Sequence, residues 1–260
     1  MLLLKNSFIK IRKSLGRFFS LIFIVALGSA FFSGIRETSQ DMIKTMDNYY
    51  DETALMDYKI VSTMGLTDDD VTSLKELTHA YKVVPSYSYE TLVDGNPTKI
   101  YAINEEINKV KLIEGRMPTR DNEILVEEGT YQINDTITLE DSAKDTLKNT
   151  SYTVVGTIRS SLYIYENKGI STVGDGKLDT FMYIPEDNFT IDYYTEIYLL
   201  ADDSTDKISY LDDYLEVTKL LEDELKDLKP IRETARYEEI LKEAMQEIYD
   251  AEEELKTKVD

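Results

Sequence analysis

Residues 18–35, FFSLIFIVALGSAFFSGI, form the one charge-free stretch of this chain long enough to cross a bilayer. At about 1.5 Å per helical residue they span roughly 27 Å, close to the thickness of a hydrocarbon core. A purely basic leader precedes them, with Lys5, Lys10, Arg12, Lys13 and Arg17 and no acid before Glu37. Lys and Arg resist translocation, so residues 1–17 are expected in the cytoplasm and everything after Arg36 outside. Setting the five leader charges aside leaves 24 basic against 50 acidic residues, a net of −26. The chain reads as a small anchor carrying a large acidic extracytoplasmic part. Leu2, Leu3, Leu4, Phe8, Ile9, Ile11 and Leu15 among the lysines suit an amphipathic segment on the inner membrane surface, where lipid is the partner.

A cleaved signal peptide is the competing reading, with Gly28-Ser29-Ala30 before the cut. The apolar run continues through Phe31, Phe32 and Ile35, which favours an uncleaved anchor.

The residues behind the anchor suffice for one sizeable domain, or a domain with an appendage. Cysteine is absent and His79 is the single histidine, so thiolate and multi-histidine metal chemistry are excluded within the chain. Strong acidity argues against nucleic acid as a partner, because such binding replaces counterions with a basic patch. The 19 tyrosines, scattered along strand-like segments, read as packing rather than a binding surface.

The membrane helix is expected to continue as a stalk to about residue 56. Residues 57–63 (DYKIVST) read as a strand, and Thr67 as the cap of a helix with Asp68, Asp69 and Asp70 in its first turn and Val71, Leu74 and Leu77 as its stripe. The triple aspartate lacks the glycine and distal glutamate of a calcium loop. Two runs, 82–93 and 98–104, flank Asp94-Gly95-Asn96 as a hairpin. Strands are expected over 123–127, 136–139, 152–158, 180–184 and 194–200. A helix over 206–228 should bury Ile208, Leu211, Leu215, Leu220, Leu221, Leu225 and Leu228. Strands and helices without regular alternation indicate an α+β domain over 57–229.

At Pro230 the tail changes character. Tyr237, Leu241, Ala244, Ile248, Ala251 and Leu255 follow a 4-3-4-3-4 spacing among Glu and Lys, the pattern of a coiled-coil arm over 230–260. The alternative is an amphipathic helix docked on its own domain. A projecting arm needs a partner strand for its seam, or else stands as an exposed helix or a weak dimer.

No phosphate-binding loop, zinc-protease or nucleophile-elbow motif occurs, so no catalytic, cofactor-binding or metal-ligating residue is assigned and the chain is not read as an enzyme. Glu127 and Glu128 alternate across a strand and do not form an acid pair. Three glycosylation patterns, at Asn134, Asn149 and Asn188, are weak signals.

Several segments resemble, in order, the FtsX-like, MacB-type permeases of ABC transporters. IRKSLGRFFSLIFIVALGSAFFSGIR (11–36) is similar to their basic leader, first membrane helix and stalk, and MDYKIVSTMGLTDDDV (56–71) to the first strand and helix of their external domain. EGRMPTRDNEILVEE (114–128) carries their pattern at Glu114, Gly115, Arg116, Pro118 and Glu123, a turn feeding a strand. INDTITL (133–139) resembles a following strand with Asn134 in place of glycine, and YTVVGTIRSSLYI (152–164) the next. The resemblance implies a MacB periplasmic-core domain of mixed α/β structure and a homo- or heterodimeric permease worked by a separate ABC ATPase subunit. It also implies further membrane helices downstream, which makes residues 1–260 the N-terminal part of such a protein. A secreted or single-pass binding module, using its acidic surface or its coiled coil, is the alternative.

Overall fold

The computed structural model describes residues 14–209 and 211–259, with side chains as far as residue 252. The reading of residues 1–13 as a surface-lying leader falls outside that set. The chain divides into two units, residues 1–48 and 49–260.

The first unit is carried by α1 (Leu15–Thr53), 39 residues long, whose most apolar window has a mean hydropathy of 2.2. It is the one described helix long and apolar enough to cross a membrane. Phe19, Leu21, Phe23, Ile24, Leu27, Phe31 and Phe32 are exposed all round it, a surface suited to lipid rather than water. Ser20 and Thr38 donate their hydroxyls to the carbonyls of Gly16 and Gly34, one turn back, at 2.9 and 2.8 Å. An apolar surrounding offers no partner to the Ser20 hydroxyl, which lies inside the apolar run, and this bond supplies one.

In the second unit, a three-stranded antiparallel sheet has the order β1 (Tyr58–Ile60), β10 (Glu196–Ala201), β2 (Ala80–Ser86). Alternation along β10 divides its side chains. Ile197, Leu199 and Ala201 face Val71 and Leu74 of α2 (Asp68–Lys75) and Leu221, Leu225 and Leu228 of α3 (Asp212–Val259). Tyr198 and Leu200 face Val84, Ile107, Ala54 and Met56. Thr67 starts α2 as expected: its backbone N–H donates to the Asp70 carboxylate at 2.8 Å, one half of a capping box.

A seven-stranded mixed sheet runs β3 (Ser88–Val93), β4 (Asn96–Ala102), β9 (Thr180–Ile184), β6 (Glu123–Glu127), β8 (Ser151–Arg159), β5 (Lys111–Gly115), with β7 (Thr136–Thr138) also on β8. One face is aliphatic, with Ile100, Ile124, Val126, Ile137, Val154, Met182 and Ile184. The other is aromatic, with Tyr101, Phe181, Tyr183 and Tyr163. Asp94 and Gly95 turn the β3–β4 hairpin with φ of 51° and 83°, the positive pair that a two-residue turn requires.

Three expectations are corrected, and one strand is added. The run 82–93 is two strands in two different sheets, because at Tyr87 the chain crosses between them with its ring against Phe189 (5.3 Å) and Tyr194 (5.4 Å). Strand β5 was not foreseen. The last helix begins at Asp212, after Ile208 and the exposed Leu211, and turns Leu215 and Leu220 outward. Finally, α3 does not break at Pro230. A proline in a helix interior costs about 3 kcal/mol. Here Leu225 and Leu228 on one side and Arg232 on the other hold the helix against the domain.

Candidate functional site

The described residues contain no group of three or more His, Cys, Asp or Glu placed to hold a metal ion. The acids that sequence singled out have structural work. Asp70 Oδ1 accepts Arg232 Nε at 2.8 Å, and Asp68 accepts the Tyr194 hydroxyl at 2.9 Å. Glu127 takes Thr180 and Lys168, while Glu128 on the opposite face takes Arg159. His79 reaches out to α3, with Nδ1 2.8 Å from Glu224 Oε1 and its backbone N–H donating to Oε2. Burial opposes the charge on Glu224, yet those His79 contacts hold its carboxyl below the ordinary range. The Asn188 side chain is buried against Asn149 and Tyr152, which closes that glycosylation pattern.

Three junctions remain, and each joins elements rather than building a reaction centre. The first is the end of α1. Ala54 is left-handed (φ 48°), Leu55 N–H donates to Tyr50 O and Ala54 N–H to Asp51 O, which together make a Schellman closure. The loop after β4 then grips this end. Asn108 N–H donates to Ala54 O at 2.9 Å, Lys109 N–H to Thr53 O at 2.7 Å, and Asn108 Oδ1 accepts Met56 N–H at 2.9 Å. Ile107, fully buried, roots the loop in the core. Asn108 has φ 50°, and asparagine tolerates that region better than most residues.

The second junction ties the two sheets together. Glu196 of β10 is 97% shielded from solvent. Its Oε1 accepts Lys99 Nζ of β4 at 2.7 Å and Ser88 Oγ of β3 at 3.1 Å, and Lys59 of β1 lies 3.6 Å away. Its Oε2 accepts the Tyr198 hydroxyl at 2.5 Å. Burial works against ionisation of Glu196, but Lys99 and then Lys59 keep its carboxyl below the usual range. Lys99 also lies 5.1 Å from the centre of the Tyr101 ring, and the Tyr101 hydroxyl meets that of Tyr163 at 2.5 Å. Burial raises Tyr101 well above the ordinary tyrosine value and brings Tyr163 to about 12, so both stay neutral and hydrogen-bonded. Sequence reasoning missed this centre. Its one local signal is that the two-residue hairpin turn sets Glu90 opposite Lys99, two charges directed across a strand pair.

The third junction explains the 114–128 motif. Arg116 grips Glu123 with both arms, Nη2 to Oε1 at 2.6 Å and Nη1 to Oε2 at 2.7 Å, and Thr119 N–H adds a bond at 2.7 Å. Gly115 has φ +86°, and a Cβ there would lie 2.2 Å from Val155 O; one on Gly156 would lie 2.8 Å from Arg116 O. Both glycines are needed for β5 to close on β8.

Beyond Pro230, Arg232 holds Asp70 and Arg236 donates to Met64 O at 3.3 Å. Residues 241–252 are exposed throughout, Leu241, Met245 and Ile248 included.

The chain matches the protein family described as the MacB-like periplasmic core domain over residues 18–212, which leaves nearly all of α3 outside the matched span. Among solved structures it is similar to the extracellular domain of the noncanonic ABC-type transporter YknZ from Gram-positive bacteria. That likeness has 13% identity and a TM-score of 0.35, and covers 63% of this chain and 86% of that one. It is also similar to the periplasmic region of MacB from Actinobacillus actinomycetemcomitans, with 17% identity, 65% and 75% coverage and a TM-score of 0.33. No curated protein matches.

Proposed function

The chain belongs to the family of the MacB-like periplasmic core domain, and from that premise we propose that it is the permease part of an ABC transporter that passes movement from a cytoplasmic ATPase to an external domain. A separate subunit hydrolyses ATP. Residues 1–17 face the cytoplasm, residues 18–35 span the membrane, and the domain from residue 57 stands outside. The permease works as a homo- or heterodimer in the lipid bilayer. The observation that carries this reading is the end of α1: the helix that holds the apolar run continues unbroken to Thr53, and there three bonds with Asn108 and Lys109 fasten its end to the core. A helix fastened at its end transmits displacement to what it is fastened to, whereas a free end would not.

Orientation is tested by labelling, for which a chain without cysteine is well suited. Lys219→Cys should react with a membrane-impermeant maleimide on intact cells, and Ser14→Cys only after permeabilisation. The reverse pattern would sink the topology. Coupling is tested in the transporter assembled with its ATPase. Asn108→Gly should leave assembly intact and separate ATP turnover from transport; unchanged coupling would remove this junction from the pathway.

A further inference from the structure

The exposed face of α3 beyond Arg236 has a chemistry that selects among occupants. Tyr237, Leu241, Met245, Ile248 and Tyr249 are 60, 42, 61, 62 and 63% exposed on a segment otherwise made largely of polar residues. Water does not favour such a stripe, and helices of this length draw their stability from covering it. The flanks of the stripe are acidic. Between residues 237 and 252 there are six acids, Glu238, Glu239, Glu243, Glu247, Asp250 and Glu252, against one base, Lys242.

The 4-3 spacing fixes which flanks meet a partner. Glu238, Met245 and Glu252 lie along one side of the seam, and Ile240 and Glu247 along the other. In a parallel pair of two copies, Glu247 of each helix meets Glu252 of the other. In an antiparallel pair centred on Met245, Glu238 meets Glu252. Both arrangements set like charges beside the seam, where they oppose pairing. Both arrangements therefore favour an oppositely charged partner over a second copy. We infer that this face of α3 docks a different chain segment: an amphipathic helix with an aliphatic seam and Lys or Arg on both flanks. The surface lies outside the family match, and its role is independent of the coupling through α1.

The test uses the full chain in lipid nanodiscs and two synthetic helical peptides of about three heptads with the same Leu/Ile seam, one flanked by Lys and one by Glu. Fluorescence anisotropy should show the Lys-flanked peptide binding at least roughly tenfold tighter, with the difference shrinking as salt rises. Leu241→Ser with Ile248→Ser should abolish binding while the near-ultraviolet tyrosine signal of the domain is unchanged. Glu247→Lys with Glu252→Lys should reverse the peptide preference. Equal binding of both peptides would overturn the assignment. So would a dimer of the chain, seen by sedimentation, that dissociates in the Leu241/Ile248 variant.

Discussion

Arg116 and Glu123 face each other across the turn that feeds β6, joined by two parallel bonds of 2.6 and 2.7 Å. The hydrogen bond from Arg116 lowers the Glu123 carboxyl to about 2, with the Thr119 N–H adding to the effect against the opposing influence of burial. A carboxylate with a depressed folded-state pKa stabilises the fold above its unfolded value of about 4.5, and that contribution fades as pH falls towards 2. Glu123→Gln should therefore flatten the acid limb of stability between about pH 5 and 2, and should destabilise the domain at pH 7 by about 1–3 kcal/mol. Urea midpoints across that range check it, and an unchanged acid limb would show the pair is incidental.

Lys99→Met should be more damaging than any surface charge change, because it leaves the buried Glu196 carboxylate with the more distant Lys59 as its nearest cation. A loss of about 3 kcal/mol is expected. Adding Glu196→Gln should recover part of it, giving a coupling of about 1–3 kcal/mol in a double-mutant cycle. Strict additivity would mean that the Lys99–Glu196 pair does not help to hold the two sheets together.

Ala54 occupies a left-handed position where glycine is the unstrained residue. Ala54→Gly should raise stability by about 0.5–1 kcal/mol, by relieving the strain of positive φ. Thermal unfolding decides the sign.

Asn108→Ala should cost about 2 kcal/mol, through the orphaned Met56 N–H and the strain at positive φ. Asn108→Gly should cost about half as much, since it removes only the acceptor. Equal losses would mean the backbone conformation is not part of the grip.

Much of the fold is legible in local pattern. Glu123–Glu127 and Thr180–Ile184 coincide with the runs expected because both are apolar, short and bounded by turns. The start of α2 was legible in Thr67 and three aspartates, and the β3–β4 turn in Asp94-Gly95. What escaped depends on distant partners. Lys111–Gly115 becomes a strand through two glycines that admit it to β8, and alone it is a short fragment without strand alternation. Pro230 obeys the helix-breaking rule in isolation and is overruled by Asp70, far away in sequence. Lys99 and Glu196 lie 97 residues apart, so no window of sequence contains both. The exposed seam on α3 was visible in spacing, but where docking ends, at Arg236, was not.

All six residues of β10 are buried, both its edges are paired, and its two faces are covered by different elements. Its amides thus have no local route to solvent. In deuterated buffer they should exchange only when the whole second unit opens, and their rate becomes a direct gauge of its global free energy of unfolding. Amides of residues 241–252, on the same chain, should be replaced orders of magnitude sooner.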